Sequence, residues 1–159
     1  MATPSIRRNA LTQLVAVLAA VTAGATYYNT LTGTGQVALA SDSDDARLAK
    51  FALTMRVTDG VERHVRSFAS PRDGNTETTL ELVVDVLLRR TATGSIVNQM
   101  ADAIHDISLA LGLNPTLNGA VNDARIREVD GPIYDTENNL AAALVRLEVI
   151  YDYQPGVTS

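Results

Sequence analysis

The chain has 159 residues, 46% of them apolar, with 13 Lys and Arg against 18 Asp and Glu. That length fits a single domain, residues 1–159, with a core of Leu, Val, Ile and Ala, since aromatics are few and Trp is absent. The lack of cysteine excludes disulfides, thiolate metal sites and thiol nucleophiles, and a net charge of −5 argues against the basic stripe of a nucleic-acid-binding protein.

The first predicted element is a helix over residues 5–23. Ile6, Ala10, Leu11, Leu14, Leu18 and Val21 share one stripe, Ser5 or Thr3 can cap it, Pro4 suits the first turn and Gly24 ends it. The same stretch has the pattern of a secretory signal: Arg7 and Arg8, an apolar run, then Ala23-Gly24-Ala25. The run is short for a membrane span and is interrupted by Thr12 and Gln13, and the helix reading is preferred. Residues 24–47 read as a polar loop extension with a short strand at 36–40; Tyr27 and Tyr28 are its candidate anchors or interface residues. Asp42, Asp44 and Asp45 form an acidic turn without the glycine and distal glutamate of an EF-hand, so it reads as solvated surface.

From residue 50 to 57 apolar side chains alternate, which predicts a strand with one buried face. Asp59-Gly60 signals a turn, after which 61–68 resumes as a strand exposing Arg63, His64 and Arg66. A loop containing Arg72 follows. The clearest alternation is Leu80, Leu82, Val84, Val86 and Leu88 within a strand over 78–90. Its other face (Thr79, Glu81, Val83, Asp85, Leu87, Arg89) is mixed, and is either wet or pressed against a partner. Gly94 breaks the chain, and Ser95 caps a helix striped by Ile96, Met100, Ile104, Ile107 and Leu111, which Gly112 ends. Then come a short strand at 124–129, a sharp turn at Asp130-Gly131-Pro132, and a polar stretch at 134–139. Sustained alternation predicts a long last strand over 140–153 despite its Ala-rich start, with a flexible tail at 154–159. The sum is an α+β fold: a mostly antiparallel sheet with two amphipathic helices packed against it.

The search for chemistry assigns no catalytic, cofactor-binding or metal residue, and no cofactor is expected. Asp102 and His105 share a helix face and with Asp106 could be read as a metal or enzyme site, but no third ligand is in sequence reach and the trio falls opposite the apolar stripe, as on a solvated helix face. There is no Gly-x-Ser-x-Gly elbow, and Gly33-Thr34-Gly35 lacks the full phosphate-binding pattern. The basic segment Arg63, Arg66 and Arg72 has too little aromatic company for nucleic acid; it reads as a surface meeting acidic residues of a neighbouring subunit, with the turn at Asp42, Asp44 and Asp45 a candidate mate. Val83, Leu87, Leu144 and Ile150 make the second face of the long strands partly apolar, which points to protein association.

This layout resembles the tail terminator proteins of long-tailed bacteriophages: a helix, a long middle strand, a second helix, and a closing long strand ending in tyrosines. The matching stretches are 8–21, 78–86, 97–111 and 144–153, the last ending Leu147-Glu148-Val149-Ile150-Tyr151-Asp152-Tyr153. The likeness is one of pattern and carries no motif. It implies a non-enzymatic structural virion protein at the head-proximal end of the tail, assembled in the host cytoplasm. It further implies a homo-oligomer, a hexameric ring, that meets the tail tube protein and a neck or head-completion protein. DNA would only pass through its channel without specific binding, which an acidic chain suits, and no membrane is involved. The 24–47 extension is longer and more polar than the resemblance leads one to expect. The alternatives are a head–tail connector or another tail protein and, resting on the signal-like start, a secreted small binding domain.

Overall fold

A computed structural model describes residues 5–40, 50–66, 76–91 and 94–153. Helix α1 spans Ile6–Ala19; the Ser5 hydroxyl caps it by accepting a bond from the Arg8 N–H at 3.2 Å. Thr3 and Pro4 lie outside the described residues. The helix stops before the expected 23 because the chain doubles back: the Ala23 N–H, which a longer helix would give to the Ala19 carbonyl, donates to the Thr30 hydroxyl, and the Val21 carbonyl accepts from the Leu31 N–H. Val21 nevertheless stays buried, continuing the stripe of Ala10, Leu14 and Leu18.

The returning segment is pinned by the buried Gln36 amide. It accepts from the Gly33 N–H and donates to the carbonyls of Thr30 and Leu53. Strand β1, Val37–Leu39, then pairs in parallel with β2, Leu53–Arg66. Strand β3, Thr76–Arg89, leads to helix α2, Ile96–Leu113, followed by β4, Asp123–Asp135, and β5, Leu140–Tyr153. The sheet order is β1-β2-β3-β5-β4, antiparallel except at β1–β2, so the α+β reading holds.

Alternation sorts this sheet into two faces. Leu53, Met55 and Val57, then Leu80, Leu82, Val84, Val86 and Leu88, then Ala141, Ala143, Val145, Leu147 and Val149 all point to the side where both helices lie. Helix α1 lies over β1 and β2, α2 reaches β3, β4 and β5, and the helices touch each other. The α2 face that enters this core is Met100, Ala103, Ile107, Ala110 and Leu111, with Ile96 and Ile104 at its margin. No helix among the described residues is long and apolar enough to cross a membrane.

Four local expectations need correction. Asp59-Gly60 is not a turn: β2 runs through it with a bulge between Asp59 and Glu62. Asp130-Gly131-Pro132 is likewise absorbed into β4, which runs to Asp135 with one register shift at Arg127 and another between Asp130 and Ile133; the Gly131-Pro132 peptide is cis. Ser95 occupies the N-cap position of α2 but its side chain makes no cap bond. Gly112 lies inside α2, which ends at Leu113 with Asn114 as its C-cap, followed by left-handed Leu117, Asn118 and Gly119.

Candidate interaction surface

Both described helices cover one face of the sheet, and among the described residues no helix covers the other face, formed by four strands of 13 or 14 residues. The register aligns its side chains in rows across the strands. Toward one end, Leu87 of β3 lies beside Ala142 of β5, which lies beside Ile133 of β4. Leu144 is the next outward residue along β5, and Ile133 is 74% exposed, the most open large apolar side chain among the described residues. Asp85, Asp130, Ile133, Ala142 and Leu144 line a shallow depression of about 140 Å³ here. This end is therefore an apolar patch edged by carboxylates.

The middle of the face is ionic. Arg146 of β5 donates to Glu81 of β3 at 3.0 Å and to Asp130 of β4 at 2.5 Å, tying three strands together. The bond to Asp130, then the attraction of that charge, raises the Arg146 pKa above its usual value. Arg125 of β4 meets Glu148 of β5 at 3.4 Å, a cross-strand pair directly opposed in the register. Val83 is buried on this face without belonging to the helix-side core.

On the helix side, a second ionic cluster joins α1 to the β2 bulge. Arg7 donates to Asp59, to Glu62 at 3.0 Å and to the Gly60 carbonyl at 3.3 Å. The Asp59 bond is the main reason its pKa is raised. His64 follows on the same strand face, its Nδ1 2.8 Å from the Thr78 hydroxyl.

Of the sequence-derived candidates, Arg63 is exposed on β2. Its side chain faces the sheet's open side with its register partner Thr79. Arg66 ends β2, but its side chain is outside the description; Asp42, Asp44, Asp45 and Arg72 lie outside the described residues altogether. Tyr27 is half-buried against the core, whereas Tyr28 is 63% exposed, its ring meeting that of His105 edge-on at 5.6 Å. The two tyrosines thus divide the roles of anchor and surface.

Compared with known proteins, the chain matches no family model and no curated sequence.

The largest departure from the sequence reading is Asp106. It is not on a solvated helix face: it is fully buried. Its two carboxylate oxygens accept from the Tyr28 N–H at 3.0 Å, the Asn29 N–H at 2.8 Å and the Asn29 side-chain amide at 2.8 Å. Those bonds fasten the loop after α1 onto α2 and fix where Tyr28 stands. They also separate Asp106 from Asp102 and the exposed His105. Among the described residues no group of three or more His, Asp and Glu side chains could hold a metal ion. The helical spacing of Ala103, Asp106 and Ala110 carried the signal, since it sets Asp106 on the buried side.

Proposed function

We propose that this chain is a structural subunit of a long-tailed bacteriophage particle, which caps the tail tube as a ring, stops tube growth and offers a docking surface to the neck of the head. The observation that carries this reading is the sheet face that no described helix covers, where an apolar end beside cross-strand ion pairs suits contact with other protein chains. The element order supports it: helix, long middle strand, helix and closing long strand come in the sequence that the resemblance implies, with β1 and β2 before the middle strand and β4 before the last. On this reading the chain does its work by contact and assembly, not by chemistry.

Mass measurement of the purified protein in solution, with electron microscopy of the same sample and of a mixture with purified tail tubes, tests the proposal. A six-fold ring with an open centre, or decoration of tube ends, supports it. A chain that stays monomeric and leaves tube ends bare refutes it. Attachment to the head portal instead of the tube would move the chain to the head–tail connector role.

A further inference from the structure

The outer face holds a second feature between the bulged stretches of β2 and β4. It is a groove of about 380 Å³ lined by Val61, Arg63, Thr79, Glu81, Arg127 and Glu148. The groove crosses β3 and β5, so its banks are three strand steps apart, roughly 14 Å at the usual spacing between strands.

Each bank carries an arginine. Arg63 stands on β2, and Arg127 is the extra residue of the β4 bulge. Neither guanidinium makes a hydrogen bond or ion pair with any described residue. The acids on the floor have partners outside the groove: Glu148 is held by Arg125, and Glu81 by Arg146, which Glu81 shares with Asp130. The two guanidiniums are therefore the groove's charges left without a partner among the described residues, although the whole chain is acidic. The floor keeps acceptor capacity, because each carboxylate has more lone pairs than its arginine uses. The Thr79 hydroxyl lies in the same floor, and Val61, 57% exposed, adds an apolar wall.

We propose that this groove binds a carboxylate-rich peptide segment of a partner protein, whose acidic side chains are taken by Arg63 and Arg127. A guanidinium presents parallel N–H donors that match a carboxylate in forked geometry. The peptide's own backbone N–H groups supply the donors that Glu81, Glu148 and Thr79 can accept. A nucleic-acid strand fits less well. Its phosphates satisfy the arginines, but its continuous negative charge lies over two floor carboxylates and its backbone has no N–H to offer them. The chemistry of the groove carries this assignment whether or not the chain closes into a ring.

The test is fluorescence anisotropy on the full chain, with a labelled peptide of alternating serine and aspartate. The controls are the same peptide with asparagine for aspartate, and a labelled oligothymidylate. The aspartate peptide should bind, and bind more weakly as salt rises. Arg63→Ala and Arg127→Ala should each weaken it about tenfold, as for loss of a hydrogen bond to a charged group. The double variant should bind about a hundredfold more weakly, the two losses adding because the arginines stand on separate strands. Both arginines are exposed, so circular dichroism and melting should show an intact fold. Arg8→Ala, which removes an exposed arginine on α1, should leave binding unchanged. The proposal is overturned if the wild-type chain does not bind the aspartate peptide. It is equally overturned if the asparagine peptide or the oligothymidylate binds as tightly, or if the double variant binds undiminished.

Discussion

Asp106 is the one charged residue fully buried among the described residues, and its value lies in the donors it satisfies. Asp106→Ala leaves two backbone N–H groups and the Asn29 amide without their acceptor. The expected loss is about 2–4 kcal/mol in urea unfolding, tempered by water reaching the loop, with faster hydrogen exchange at Tyr28 and Asn29. Asp135 makes a gentler case. The Asn138 side-chain amide, then the Asn138 backbone N–H, hold its carboxyl below the ordinary value of 3.8. A carboxyl depressed in the native state contributes stability that is complete above 3.8 and disappears as pH falls through the lower native value. Asn138→Ala should move the Asp135 titration, followed by NMR, back toward 3.8 without reaching it, because the backbone donor remains. Single residues were legible in the sequence where exposure follows polarity, as at Tyr28 and Arg63. Asp106 was not, because a lone carboxylate on a helix is ordinarily solvated, and its partners come from a loop 77 and 78 positions away in the chain.

At the scale of elements, strands whose alternation continues without a break were read nearly to their ends: β5 matches its predicted bounds, and β3 is shifted by two residues at its start and one at its end. The strands that were misread, β2 and β4, both contain Asp-Gly, a strong turn signal taken alone. What overrides it is pairing on both sides of the dipeptide with one straight neighbour, β3 for β2 and β5 for β4, so the surplus residues become bulges. Gly131 makes this measurable. Its φ is +93°, and an added Cβ would lie 3.2 Å from the Ile133 nitrogen and 3.3 Å from the Ala142 carbonyl oxygen. Gly131→Ala should therefore cost about 1–2 kcal/mol in thermal or urea unfolding, as expected for a side chain forced into the left-handed region. In the straight strand the penalty comes from packing instead: Leu82→Ala, at a fully buried site on β3, should cost about 2–5 kcal/mol.

For the molecule as a whole, the asymmetry between the sheet face that the described helices cover and the face that none of them covers separates stability from association. Ile133→Glu places a charge on the open face at a side chain already 74% exposed. It should leave the melting temperature within about 1–2 °C of wild type, as for a surface change. If the apolar end of that face joins subunits, sedimentation should show a clear loss of self-association in the variant. The chain's connectivity has a separate, temporal consequence. Strand β5 closes the described chain, yet it lies inside the sheet, between β3 and β4. It joins Thr76 to Tyr153 and Arg89 to Leu140, pairs far apart in the sequence. During synthesis β3 can acquire only its β2 neighbour at first, and its other edge stays open until residues 140–153 have been made and threaded into place. Such a non-local final step puts refolding in the slow class, on the order of milliseconds to seconds, and makes nascent chains halted before residue 140 prone to stick to one another along that bare edge.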